Sequence, residues 1–448
     1  MDFMKYVMDN KNLIIDKTKE LLRIPSVLEE FDPTSKTPFG KEINDALHYM
    51  LDLAHADGFV TKNVKNYAAH IEYGKGKEIL GVLCHLDVVP VGDNWTNPPF
   101  HPVIKDGKLY ARGSNDDKGP TMAAYMALRF LKELGIMPAK RVRIILGTDE
   151  ETGWRGIDEY FKTEEMPTIG FAPDASFPLI YGEKGITSFT VTGNIKESFL
   201  LTFNAGDRLN VVPDYAECTL SIDVKDEFKK YLSYNGLKGE VKGDKYIVYG
   251  KRAHAMQPNL GINAAFILAE FLSTQIDDEF IKYINKYLTF DHLAEKYDIA
   301  YFDEEMKEFT MNPAVFKYNV GEFEIGINCR YPRGWQKDES FNKIKAVTEI
   351  NNFKFEVIGD SPVHYVDKED DLVKKLMAAY QKHTGDFESP PITIGGGTYS
   401  RALKKAVAFG PAMPGREDVA HQTDEHLYVD DLLKATAIYM EAIYSLTK

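Results

Sequence analysis

The chain has 448 residues, too many for a single core, so about two or three domains are expected. Hydrophobic residues make up 44% and charged residues 27%, which describes a globular protein and excludes a disordered or fibrous one. A net charge of −14 with no basic stripe excludes a nucleic-acid binder, and no apolar run approaches the roughly 20 residues that cross a bilayer.

The first 180 or so residues alternate between helical and strand patterns. Residues 12–22 and 42–56 carry apolar side chains at helical spacing. Residues 79–84 form a continuous apolar run, as in a strand buried on both faces. A short strand around Leu109 and a helix over 121–134 follow, then a strand over 141–146. This alternation predicts a sheet covered by helices.

From about Ile186 the texture changes. Residues 187–193, 216–223 and 322–328 alternate as in sheets with one wet face. A helix is predicted over 263–272, and a mostly helical stretch over 280–309. Near Val366 the first texture returns, with a helix over 371–383, a strand over 391–394 leading into Gly395, Gly396 and Gly397, a helix over 399–405, and a closing helix over 430–446. The expected organisation is an α/β catalytic domain with a mixed, largely parallel sheet covered by helices on both faces. An inserted α+β lid domain interrupts it, giving divisions 1–185, 186–362 and 363–448.

Residues able to hold a metal recur at the ends of these strands and in loops. His85 follows the 79–84 run, at the strand end where open α/β sheets put their ligands, and Asp87 is placed to accept a hydrogen bond from its imidazole. Asp116 and Asp117 precede a helix, where both capping and metal ligation fit. Glu150 and Glu151 leave the 141–146 strand side by side, so their side chains diverge. With Asp149 they form three consecutive carboxylates that repel one another unless cations or water intervene. Asp174 follows another apolar stretch, and His421 lies in a polar loop before the last helix. Imidazole with carboxylate suits zinc or manganese, and the three cysteines have no metal-like spacing. Gly395, Gly396 and Gly397 form a turn that exposes amides to an anion; a substrate carboxylate fits better than a phosphate, because the lysine and spacing of a P-loop are missing.

Cys84, Cys218 and Cys329 are odd in number and far apart, which fits a reducing compartment. No basic start followed by an apolar stretch opens the chain, so a cytoplasmic location is expected.

In order and spacing, these segments resemble the dinuclear metallopeptidase superfamily of aminoacylases, glutamate carboxypeptidases and carnosinases, within it the bacterial PepV-type (Xaa-His, carnosinase-like) dipeptidases. The block Ala111-Arg112-Gly113 with Asp116-Asp117-Lys118-Gly119 is the most distinctive. The resemblance implies two divalent ions, zinc or manganese: His85 and Asp174 on one, Glu151 and His421 on the other, Asp116 bridging. It also implies a cis peptide at Asp116–Asp117, Asp87 orienting His85, and Glu150 as general base toward a water activated by the two metals. His254, Asn210 and Arg330 of the insertion would face a small peptide substrate, with His254 stabilising the oxyanion and Arg330 and the glycine turn taking the carboxylate. The longer insertion would supply His254 within one chain, so a monomer is expected. The implied activity is hydrolysis of unblocked dipeptides. The alternatives are an amidohydrolase for N-acyl amino acids or N-succinyl-diaminopimelate and, more remotely, a non-catalytic metal or peptide binding protein.

Overall fold

In the computed structural model, which describes residues 1–448, the run Ile79–His85 forms a strand whose seven residues are all buried. It pairs in parallel with Arg141–Gly147 on one side and Ile169–Ala172 on the other, and Ala406–Ala408 extends this parallel centre. Ala68–Tyr73 and Val60–Val64 add antiparallel strands beyond Arg141–Gly147, and Ile180–Glu183 adds one beyond Ala406–Ala408. The sheet is mixed, with helices over both faces.

The pleat explains the continuous apolar runs. Leu80, Val82 and Cys84, with Val142, Ile144 and Leu146, point into a core shared with the helices Lys41–Ala56, Lys118–Glu133, Asp371–Thr384 and Val429–Leu446. Leu83 and Ile145 point the other way, toward Ile157, Tyr160, Tyr399 and Leu403. Each such aliphatic side chain contributes roughly 1.5–3 kcal/mol by leaving water. Lys118–Glu133 is buried along nearly its whole length, and its Pro120 sits in the first turn, where a missing N–H costs nothing.

The chain divides into two compact units. One comprises Met1–Gly182, Tyr365–Ile392 and Thr398–Lys448; the other comprises Glu183–His364 and Thr393–Gly397. The second unit is built on an eight-stranded antiparallel sheet. Its strands Gly185–Asn194 and Glu322–Tyr331 send Phe189, Val191, Phe323, Ile325 and Ile327 into an apolar core, while Thr190, Thr192 and Glu324 lie on the opposite face. The helices Lys225–Tyr234, Ala264–Ser273, Glu279–Tyr287 and Lys337–Ile350 contribute to that core. Asn263 caps Ala264–Ser273 by accepting the Ala265 N–H.

Two predicted helices are corrected. The stretch 280–309 holds a helix only to Tyr287 and a three-residue 3-10 turn, Glu295–Tyr297, before the short hairpin Phe302–Asp303 with Lys307–Glu308. Phe290, Ala294 and Asp298 all take positive φ, which a right-handed helix cannot contain. The helix expected over 399–405 is a 3-10 turn, Tyr399–Ala402, because Leu403 turns extended to bury its side chain before strand Ala406–Ala408. No helix is long and apolar enough to cross a membrane. All three cysteines are free and buried.

Candidate metal centre

Parallel pairing brings three strand ends to one edge of the sheet. His85 is the last residue of its strand, Glu150 and Glu151 follow Arg141–Gly147, and Asp174 follows Ile169–Ala172. Asp116 arrives from the loop before Lys118–Glu133, and His421, at φ +63°, from the loop before the last helix. The six side chains converge. His85 Nε2 lies 2.9 Å from Asp116 Oδ1 and 3.7 Å from Asp174 Oδ1. His421 Nε2 lies 3.0 Å from Asp116 Oδ2 and 3.1 Å from Glu151 Oε1. Each oxygen of Asp116 therefore faces a different histidine. Ligand atoms of His85, Glu150 and Asp174, and again of His85, Asp116 and Glu151, lie within 4.8 Å of one another.

The six groups perturb one another strongly. Burial, then the charge of Asp174, push Glu150 well above the ordinary carboxylate range. Burial raises Glu151 to about 6 and also raises Asp174, each against an opposing histidine. Against its own desolvation, hydrogen bonds from His421 and His85 hold Asp116 low. Burial alone would lower His85, yet Asp116, Asp174 and Asp87 hold it well above its ordinary value, and Asp116 and Glu151 raise His421 to about 11. Four carboxylates against two imidazoles leave excess negative charge. Hard oxygens with imidazole nitrogens are the donor set that divalent zinc, manganese or cobalt accepts, so the residues present fit the implied metal.

The neighbours sort the ambiguous acidic residues. Asp149 is fully buried and bidentate with Arg155, at 2.7 Å for each contact, so the acidic triplet is divided. Asp117, joined to Asp116 by a cis peptide, turns away and accepts the His85 N–H and the Thr121 hydroxyl, each at 3.1 Å. His85 Nδ1 is 3.0 Å from the Asp87 carbonyl oxygen and 3.5 Å from its carboxylate. The Asp87 carboxylate also accepts the Glu151 N–H at 3.0 Å, linking two strand ends that carry candidate ligands.

The residues expected at the substrate gather within the second unit. His254 pairs with Val211, and the Asn210 carbonyl accepts the Ala255 N–H at 2.9 Å. His254 Nδ1 accepts the Met256 N–H at 3.1 Å, which leaves the neutral ring's proton on Nε2; desolvation and the Arg330 guanidinium lower its pKa and favour that neutral form. Arg330 is buried and donates to Asn328 Oδ1 at 3.0 Å and to the Gly395 carbonyl at 3.3 Å. A Cβ on Gly395 would stand 2.9 Å from Met256 Cβ, so glycine permits this approach. Gly396 and Gly397 continue the same turn, followed by a 3-10 helix of only four residues, too short for a helix-end anion site.

Two contributors escaped sequence reading. The Tyr399 backbone N–H donates to Asp174 Oδ2 at 3.3 Å, and its ring meets His85 edge-on at 6.0 Å. Glu425 accepts the Asp116 N–H at 3.1 Å. Its only sequence signal is a place four residues after His421.

Residues 81–445 match the family described as Peptidase family M20/M25/M40. A relative from Bacillus subtilis (strain 168), named "Putative dipeptidase YtjP", is 44% identical and covers 99% of both chains. One from Staphylococcus haemolyticus (strain JCSC1435), "Putative dipeptidase SH1171", is 42% identical over 98% of both. Among solved structures, human carnosine dipeptidase 1 shares the fold with a TM-score of 0.57 at 15% identity, covering 99% of each chain. Aminoacylhistidine dipeptidase from Vibrio alginolyticus does so with a TM-score of 0.59 at 14% identity, covering 97% of this chain and 96% of that one.

Proposed function

The chain belongs to peptidase family M20/M25/M40, and from that premise we propose that it is a metal-dependent dipeptidase hydrolysing unblocked dipeptides. The observation that carries this reading is Asp116, which turns one oxygen to His85 and the other to His421. His85 and Asp174 would hold one divalent ion and Glu151 and His421 a second, with Asp116 shared; zinc and manganese both suit these donors. When bound, such ions polarise the scissile carbonyl and lower the pKa of water from about 15.7 to about 7.

The chain's own residues supply the rest. A Glu150 carboxylate oxygen takes the proton of the attacking water and delivers it to the leaving amine nitrogen, as a general base and then a general acid. Asp87 orients His85 through Nδ1 and steadies Glu151 through its N–H. His254 Nε2–H is the donor we assign to the carbonyl oxygen as it gains charge. Arg330, Asn210 and the turn of Gly395, Gly396 and Gly397 are assigned to the substrate, with Arg330 taking its carboxylate. Free buried cysteines suit a reducing, cytoplasmic setting, and we take one chain as the working unit.

The test is hydrolysis of β-alanyl-histidine, Leu-Gly and an N-acetylated amino acid by chelated protein, before and after zinc or manganese is restored. Metal-restored cleavage of the free dipeptides alone is expected. Cleavage of the acylated compound alone would assign the protein to the amidohydrolases, and no cleavage with either metal would leave a binding protein.

A further inference from the structure

The mechanism gives no task to the ion pair between Arg112 and Glu425, although it lies where the ligand-bearing loops meet. Arg112 Nη1 and Glu425 Oε2 are 2.7 Å apart, with side chains only 2% and 1% exposed. Glu425 Oε2 also accepts the Gly113 N–H at 3.1 Å, and Oε1 accepts the N–H groups of Asn115 at 2.8 Å and Asp116 at 3.1 Å. Arg112 reaches the carbonyl of Gln422 at 3.3 Å and, more loosely, those of His421, Pro90 and Val91 at 3.4 Å each. Its guanidinium lies over the Trp95 ring at 5.2 Å. One buried pair thus ties together the backbone that presents Asp116, the loop that presents His421, and the segment leaving His85 and Asp87.

Stability alone is a weak reason for such a pair. Stripping water from two charges costs about what their attraction returns, and apolar replacements are often neutral or better. What an apolar pair cannot do is hold three peptide N–H groups and four carbonyls in register. We propose that Arg112 and Glu425 are positioning residues that set the affinity of the ion shared by Asp116, Glu151 and His421. This rests on the metal-centre reading above. The opposite side of the centre has separate supports, since His85 is held by Asp87 and Asp117 and Asp174 by the Tyr399 N–H. The pair also holds the His421 loop, so the ion on that side should depend on it more.

The test is titration of the metal-free protein with cobalt(II), followed by calorimetry and visible absorption, for wild type, Glu425→Gln, Arg112→Lys and His421→Ala. Wild type is expected to bind two ions. Glu425→Gln should weaken one of them about 10–100-fold, the usual cost of losing a partner behind a ligand. The more affected ion should be the one whose absorption band is missing in His421→Ala, while the other, which shares Asp116, weakens less. Arg112→Lys keeps the charge but loses the planar fork, so it should behave alike and carries the test if Glu425→Gln does not fold. Unchanged affinities in both variants would overturn the proposal. So would equal weakening of both ions with a lower melting temperature of the metal-free protein, which would make the pair merely structural. Wild type that binds no cobalt would instead refute the metal-centre reading, and the positioning role with it.

Discussion

Asp116 Oδ2 lies 3.0 Å from His421 Nε2, a contact between residues far apart along the chain. The other oxygen of the same carboxylate is 2.9 Å from His85, so one small side chain spans both histidines. In Asp116→Asn one of those oxygens becomes an NH2 group, which donates and cannot ligate. Metal analysis of the purified variant should find at most one tightly held ion. Affinity for the second should fall by more than the roughly 100-fold seen for partners behind a ligand. Two ions held at wild-type affinity would refute the bridging role.

Glu150→Gln preserves shape and removes the base. The expected result is a kcat lower by about 10²–10⁴, the usual contribution of general acid–base catalysis, with metal content unchanged. Turnover at the wild-type rate with both metals bound would rule Glu150 out as the base.

His70 links stability to pH away from the metal centre. It is 4% exposed, with Nδ1 2.7 Å from the Tyr160 hydroxyl. Burial, then the Arg143 charge, depress its pKa from 6.5 to about 4. The folded state therefore binds fewer protons than the unfolded state between those values. The stabilisation is complete above about pH 6.5 and is lost as pH falls toward 4, up to about 3 kcal/mol in all. Urea unfolding at pH 7.5 and 4.5 should show a smaller pH-dependent loss in His70→Gln than in wild type. Equal losses in the two proteins would show that His70 does not contribute.

A Cβ on Gly147 would stand 2.1 Å from the Tyr399 hydroxyl oxygen. Gly147→Ala must displace a ring that packs against His85, at a cost of about 1–3 kcal/mol for overfilling a core. Adding Tyr399→Phe removes the atom in closest conflict, so the double variant should recover part of the lost melting temperature. If the two effects simply add, the steric account is wrong.

Much of this is legible in the amino-acid sequence. Apolar runs such as 79–84 announced buried strands, and candidate site residues follow directly after them, so residue type and strand end together marked His85, Glu150, Glu151 and Asp174 as candidates. Helical patterns over 121–134 and 430–446 likewise marked the helices Lys118–Glu133 and Val429–Leu446. Local pattern failed where backbone dihedrals outweighed composition. The aromatic stretch after Tyr287 looks helical in its residues but bends through positive φ at Phe290, Ala294 and Asp298.

The sequence by itself determined which residues can ligate and in what order they occur, because chemistry and periodicity are local properties of the chain. Only the tertiary structure decided their partners. Asp149 left the acidic triplet for Arg155, Asp117 turned to the His85 backbone, and Glu425 joined Arg112 behind Asp116. Those choices depend on which strand lies beside which and on the side from which each loop enters. A carboxylate takes the cation or N–H donor that folding brings within about 3 Å, and no spacing along the chain encodes that distance.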